Sequence, residues 1–471
     1  MASSRTMDLG TMPLEGRHIW ITFVASLGQL IGTGVATLAG IIIPMLNILS
    51  RPQLGSAMQG LIGSADLIGI MIGASVIGRL IDRYGYLLFF RLCPALILAA
   101  SVVAALTTSV PVLVVALFVI GIGIGGEYSL DSGYISELLP IRWRSTMIGV
   151  AKAASALGNI VVAGLCWWLV TRWDTAEAWP KLMWIVAAIA AVMLVCRIRF
   201  WESPLWLLQK GRTAEAEKCV RRFLGPDVMI EPQVKSTPAA TNTESGWSFL
   251  RKNFSRLMLS GVPWACEGLG VYGIGVFLPI LVMSLGIEHV TAGESAIAHV
   301  AASIKTTFFI SCVILPGFIL GIIMLRRKAY IPRLQSVGFW LSALSLGVLL
   351  VSYHFGLNRW ISIIAFMAFE LFLNMGPHLT TYVLPPKIYP VEDRGLGSGM
   401  SASAGKLGAV IAVFLIPVLL KAGGITLVLG VSVAVMAVGA IVTGIYAPRV
   451  LSRQQSDAHI SIRATRPVQP S

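Results

Sequence analysis

Runs of about 20 mostly apolar residues, the length a helix needs to cross roughly 30 Å of hydrocarbon, recur along this whole chain. Twelve are predicted, at 20–47, 57–80, 86–107, 111–138, 145–170, 180–199, 255–285, 300–325, 334–353, 360–385, 395–420 and 424–447. Only 12% of the 471 residues are charged and 56% are hydrophobic, against about a quarter charged in an ordinary soluble domain. A soluble fold is excluded, and the fold class is an all-α membrane protein.

The stretch Met1 to His18 carries no apolar core followed by a small-residue cleavage site, so it reads as a cytoplasmic N-terminus (1–19) and not as a removable leader. Six cysteines, Cys93, Cys166, Cys196, Cys219, Cys266 and Cys312, fall in or beside spans or in the central loop, with no CxxC pair. That pattern offers neither a disulfide framework nor a structural metal site. The net charge of +14 sorts by side of the membrane. Arg51, Arg172, Lys181, Arg359 and Lys421 fall in loops on one side, Lys152, Lys305 and Lys406 fall within spans, and the remaining Lys and Arg fall on the other side. This asymmetry is the positive-inside rule; it puts both termini in the cytoplasm and leaves no basic patch for nucleic acid.

Between spans six and seven lies a polar stretch with a Ser/Thr/Pro/Asn-rich piece at 236–245, helical near 213–223, which reads as a linker (200–254). It divides a six-helix bundle at 20–199 from a second at 255–447. The tail, 448–471, reads as short, polar and without structure. The bundles echo each other: Gly40 and Pro44 in span one match Gly275 and Pro279 in span seven, and Pro140 and Arg144 match Pro390 and Arg394. Internal symmetry of this kind accompanies folds whose solute site lies near the bilayer midplane between repeats.

Four motifs carry more detail. Gly78-Arg-Leu-Ile-Asp82-Arg83-Tyr-Gly85 joins spans two and three as a short cytoplasmic loop, its glycines allowing close backbone approach and its charges free to pair. Span four holds Gly121-Ile-Gly-Ile-Gly-Gly-Glu127-Tyr128-Ser-Leu-Asp131, then Tyr134, Glu137, Pro140 and Arg144; its glycines suit close helix packing. After span six comes Trp201-Glu202-Ser203-Pro204-Leu-Trp206. Span ten carries Asn374-Met-Gly376-Pro377-His378-Leu-Thr380-Thr381, and span eleven Ser401-Ala-Ser-Ala-Gly405-Lys406-Leu-Gly408.

The first motif resembles the signature loop of the major facilitator superfamily, and the third resembles a motif of its sugar-porter-like members. Spans four, seven, ten and eleven resemble the phosphate:proton and related metabolite:proton symporters. The resemblance implies twelve helices in two pseudo-symmetric halves working by alternating access. It also implies a cytoplasmic gate in which Gly78, Asp82, Arg83, Glu137, Arg144, Glu202 and Arg394 take part, several of them as salt bridges. Three departures point away from phosphate: no Asp or Glu lies between Trp20 and Leu46, Gly268 stands where span seven of that group carries aspartate, and His378 replaces an asparagine. The glutamines of hexose carriers are missing from span seven as well.

Ionisable residues at membrane depth cost several kcal/mol on insertion scales, so they face partners or water-filled cavities. Asp66, Glu127, Asp131, Lys152, Glu267, Glu370, His378 and Lys406 are such residues. Glu127 and Asp131, four apart, share one helical face, where two carboxylates favour binding a proton between them. The proton-coupling candidates are therefore Glu127, Asp131, Asp66 and Glu267. The solute-binding candidates are Tyr128, Lys152, Trp264, Glu267, Tyr272, Asn374 and His378, the aromatics offering a flat apolar wall with polar tips. Lys152 and Lys406 are open to two roles, attracting an anion or neutralising Asp131 or Glu370.

The expected function is secondary active transport by alternating access: proton-coupled uptake of a small polar or anionic metabolite by a monomer in a plasma membrane, the inner membrane of a bacterium. Exchange or export is the alternative within transport, and a solute sensor is the alternative outside it. An enzyme is not expected, since the chain shows no metal-ligand cluster, nucleophile elbow or phosphate loop, and no cofactor is implied.

Overall fold

The computed structural model describes residues 14–50, 52–139, 141–198, 200–224, 246–288, 293–326, 330–389 and 394–464. They form α1 (Gly16–Leu49), α2 (Ser56–Tyr84), α3 (Tyr86–Leu106), α4 (Val110–Leu138), α5 (Ile141–Trp173), α6 (Trp179–Arg197), α7 (Pro204–Gln209), α8 (Thr213–Leu224), α9 (Gly246–Gly268), α10 (Leu278–Ser284), α11 (Ala296–Ser311), α12 (Ile314–Arg326), α13 (Ile331–His354), α14 (Arg359–Met375), α15 (Pro377–Val383), α16 (Pro385–Ile388) and α17 (Arg394–Ala464). Among the described residues ten helices are long and apolar enough to cross a bilayer. One of these, within α17, breaks into two crossings at Gly423 and Gly424, where Gly424 takes φ +64°, a left-handed value that suits a residue without a Cβ. The pair α9 and α10 supplies a further crossing, which brings the total to the twelve that hydropathy predicts.

Several predicted spans are not single helices. Span seven runs through a π turn (Leu269–Ile274) and a break at Phe277 before α10. Span eight breaks between α11 and α12, and span ten at Gly376. Each break lies one to four residues before a proline, at Pro279, Pro316 or Pro377 in turn. Proline removes one i→i−4 hydrogen bond and crowds the carbonyl four residues back. Pro44 sits inside α1 without a break, so the Gly–Pro echo between spans one and seven does not carry the same shape.

Two further expectations are corrected. The predicted loop at 78–85 is helical through Tyr84, and Gly85 alone turns the chain, at φ +93°. The end after Ala447, expected to lack structure, continues the last helix to Ala464. Past Pro448 that segment contains no helix breaker before Ala464, so the ladder propagates once begun.

By internal contacts the chain divides into two units. The first is the described part of Met1–Ala239 with Tyr272–Leu315 and Ala412–Leu427; the second is the described part of Ala240–Val271 with Pro316–Ile411 and Val428–Ser471. The chain thus changes unit inside spans seven, eight and eleven and again near the start of span twelve.

In the first unit α2 packs on α4, α1 on α5, α3 on both α4 and α6, and α11 on α5. The glycine run of span four explains the closest of these. A Cβ on Gly121 would strike the Asp66 carbonyl, and one on Gly125 would strike Ile70 and lie 2.6 Å from the Ala74 nitrogen. Small residues let helices approach where lipid offers no hydrophobic drive to associate. Phe90, Tyr134 and Phe200 then close the packing beneath, with ring centroids 4.8 Å (Phe90–Tyr134), 5.3 Å (Phe90–Phe200) and 5.6 Å (Tyr134–Phe200) apart. Such aromatic pairs contribute about 0.5–1.5 kcal/mol each beyond area burial. In the second unit α13 packs on α14, and a Cβ on Gly268 would lie 2.8 Å from the Ala409 nitrogen, so α9 and α17 touch backbone to backbone there.

Candidate functional site

Each unit holds a buried polar cluster. In the first, α4 presents Glu127 and Asp131 on one face, as their spacing predicts, and α6 brings Arg197 between them. Arg197 Nη1 donates to Glu127 Oε2, and Nη2 donates to Asp131 Oδ1 at 3.4 Å and to the Val24 carbonyl at 3.3 Å. The guanidinium carbon lies 4.9 Å from the centre of the Phe90 ring. Arg197 and Glu127 are fully buried and Asp131 nearly so. Glu127 Oε1 and Asp131 Oδ2 have no hydrogen-bond partner among the described residues.

Arg197, counted with the cytoplasmic charges in the sequence analysis, is fully buried against the span-four carboxylates. It lies in the last turn of span six, followed by Ile198, Arg199 and Phe200, where a hydropathy average cannot tell an interior side chain from an interfacial one. A signal was available: two carboxylates at membrane depth on one face call for a cation, and the near end of a neighbouring span is where to seek it. The expected neutralisation of Asp131 by Lys152 gives way to Arg197 as its ion-pair partner. Lys152 instead places its Nζ 3.4 Å from Gln29 Oε1 and 5.9 Å from the centre of the Tyr128 ring. Around this cluster α1 approaches so closely that a Cβ on Gly28 would collide with Asp131 Oδ2, and one on Gly32 with the Tyr128 hydroxyl. Asp66, buried on α2, accepts from the Leu67 N–H at 2.8 Å and sits where α4 crosses at Gly121.

In the second unit four side chains from α9, α14 and α15 form a line. Glu267 Oε1 lies 3.6 Å from His378 Nε2; His378 Nδ1 lies 2.8 Å from Asn374 Oδ1; Asn374 Nδ2 donates to the Glu370 carbonyl at 2.8 Å and to Glu370 Oε2 at 3.2 Å. All four residues are buried. The Phe318 ring of α12 stands 5.1 Å from the imidazole. Glu370, for which a lysine was one expected partner, is met here by an amide. Glu267, one residue displaced from the position expected by resemblance, still meets His378. Trp264 packs edge-on against Tyr382, centroids 6.2 Å apart, and against Gly405. Tyr272, also buried, belongs to the first unit.

Of the residues expected to form a cytoplasmic gate, the side chains of Asp82, Glu137, Arg144 and Arg394 lie outside the described residues, as does Pro390. Gly78 is inside α2, where a Cβ would lie 3.3 Å from Ser129 Oγ. Arg83 stands over the Tyr84 ring at 5.2 Å. Glu202 takes a role that sequence reading missed. Its carboxylate caps α3, accepting from the Tyr86 N–H at 2.7 Å and the Leu87 N–H at 3.1 Å, which answers two of the open donors at a helix start. A Cβ on Gly85 would run into that carboxylate, so the glycine serves both the left-handed turn and the cap.

Twelve apolar crossings with polar clusters buried inside them define a multi-pass membrane transport protein. The chain belongs to the sugar (and other) transporter family of the major facilitator superfamily: the family's sequence profile matches residues 20–459. It is a transporter of small solutes and not an enzyme. The inner membrane metabolite transport protein YgcS of Escherichia coli is 26% identical over 407 residues, covering 86% of each chain. The niacin transporter NiaP of Acinetobacter baylyi is 23% identical, covering 85% of this chain and 87% of that one. Among solved structures, the partially occluded inward open conformation of the E. coli xylose transporter XylE superposes with a TM-score of 0.72 at 18% identity, covering 91% of this chain and 97% of its own.

Proposed function

We propose that the protein is a proton-coupled symporter that takes up a small polar or anionic metabolite, with Glu127 carrying the proton and Asp131 and Arg197 completing its site. The observation behind this reading is the triad itself, two carboxylates on one buried guanidinium. With both ionised, that group of three bears one surplus negative charge away from water, which burial penalises; a single proton removes it. Protonation of Glu127 would take away the shorter of the two ion pairs that tie α4 to α6. Arg197 would then rest on Asp131 and the Val24 carbonyl, which gives proton binding a mechanical consequence.

The solute-binding candidates are Lys152, Tyr128 and Tyr272 in the first unit and, separately, Trp264, Glu267, Asn374 and His378 in the second. Relatives named for metabolites and for niacin support a small polar solute, and a solved relative described as a proton:xylose symporter supports the coupling. Alternating access would move the bundles 20–199 and 255–447 about the linker, with both termini in the cytoplasm of a bacterial cell. Asp82, Arg83, Glu137, Arg144, Glu202 and Arg394 would close the cytoplasmic side, and the monomer would be the working unit.

The test has two stages. A thermal-shift screen of detergent-solubilised protein against phosphate, mono- and dicarboxylates, aromatic acids, sugars and sugar acids identifies the solute, because a ligand that binds only the folded state raises its melting temperature. Uptake into proteoliposomes then follows. Glu127→Gln is expected to abolish accumulation driven by a pH gradient while sparing counterflow exchange, and unchanged gradient-driven uptake in that variant would sink the assignment.

A further inference from the structure

The line of side chains in the second unit determines where one proton sits. Asn374 presents one end of its amide to the Glu370 carbonyl at 2.8 Å. A backbone carbonyl only accepts, so that end must be the NH2 group, and the same group also faces the Glu370 carboxylate at 3.2 Å. The other end, Oδ1, is then an acceptor and nothing else. It lies 2.8 Å from His378 Nδ1, a distance at which two lone pairs would repel, so Nδ1 carries a hydrogen. That leaves Nε2 as the imidazole atom turned to Glu267 Oε1.

We propose that Asn374 is a positioning residue that fixes the proton of His378 on Nδ1, so that Nε2 is the working nitrogen and exchanges a single proton with Glu267. The exchange is balanced: a neutral imidazole facing a protonated Glu267 becomes an imidazolium facing a carboxylate, with no change in the charge of the pair. This rests on the reading of Glu267 and His378 as working groups of a transporter and adds to it the residue that makes the pair directional. A histidine free to place its proton on either nitrogen would also populate the Nε2–H tautomer, and a protonated Glu267 would then meet a donor.

Near the pair, α14 contributes Glu370, which bonds to Asn374, and α12 contributes the Phe318 ring. On α17, which meets α9 at Gly268 through Gly405 and Ala409, Lys406 is adjacent to the contact. Glu370 reaches the imidazole only through the amide of Asn374 in the hydrogen bonds above, so the carboxylate orients His378 at second hand.

Full-length protein labelled with 15N-histidine in proteoliposomes tests this by solid-state NMR, with no solute needed. The chain has six histidines, and His378→Gln identifies the resonances that matter. The wild type is expected to show a protonated Nδ1. Asn374→Asp keeps an acceptor opposite Nδ1 and should keep that signature. Asn374→Leu removes the acceptor and should lose it, shifting the Nδ1 resonance toward the unprotonated value. A bare Nδ1 in the wild type, or an unmoved Nδ1 resonance in Asn374→Leu, would overturn the positioning role, and Asn374→Asp, nearly isosteric, keeps the proposal testable where the leucine variant misfolds. Because the tautomer is read without transport, failure here is separate from failure of gradient-driven uptake.

Discussion

The two buried clusters meet the same physical demand, charge at membrane depth, by opposite means. In the first unit, Glu127 and Asp131 are answered by a full counter-charge, Arg197, which also stacks on Phe90 and bonds to the Val24 carbonyl. In the second, Glu267 and Glu370 are answered by an imidazole and an amide, groups that can be neutral. A guanidinium does not give up its proton in proteins, so the first cluster changes its charge only through its carboxylates. The second can rearrange protons with no change of charge. On the function proposed above, the first cluster would act through its charge and the second through transfer within a hydrogen-bonded line.

The sharpest way to break this comparison is to remove the counter-charge. Arg197→Met leaves two carboxylates facing each other without a cation, and breaking a buried pair in this way typically costs about 3–5 kcal/mol. The expected result is a large fall in melting temperature in detergent, partly restored when Glu127→Gln and Asp131→Asn are added. Loss without recovery in the triple variant would mean that Arg197 acts through packing on Phe90 and not through charge.

A smaller effect is expected in the second unit. Glu267→Gln keeps a group that can hydrogen-bond to His378 Nε2, so its stability should lie within about 1 kcal/mol of wild type, the scale of one neutral hydrogen bond. A melting point as low as that of Arg197→Met would erase the distinction between the clusters. The smallest effect belongs to a fully solvated pair outside the membrane, Arg212 and Glu215, joined by two hydrogen bonds of 2.7 Å. The bond from Arg212 holds the Glu215 carboxyl below its usual range. A depressed carboxylate contributes stability above its unfolded-state value, and that contribution is lost as pH falls through the lower folded-state value. The difference in melting temperature between wild type and Glu215→Gln should therefore be slight at neutral pH and vanish in acid. A large difference at either pH would show that solvent does not screen this pair.

Much of the site was legible along the chain. Glu127 and Asp131 could be placed on one face from a spacing of four, and Glu267, Asn374 and His378 stood out as polar residues inside apolar runs. The breaks at Phe277 and Gly376 were signalled by Pro279 and Pro377, though hydropathy averages over a whole window and reports a continuous span. Arg197 was not legible as a partner of Glu127, because its depth depends on how α6 meets α4 and not on the composition of its own helix. Glu202 likewise read as a gate charge; its role as a cap on α3 depends on a turn at Gly85 over a hundred residues earlier in the chain.

The amino-acid sequence by itself determined the twelve crossings and the polar residues that had to be buried with partners, since hydrocarbon imposes both requirements locally, one helix at a time. The tertiary structure decided which partner each buried group has: Arg197 for the span-four carboxylates, Asn374 and His378 for Glu370 and Glu267. Those pairings are set by which helix faces meet, a property of packing between distant segments that no single span contains.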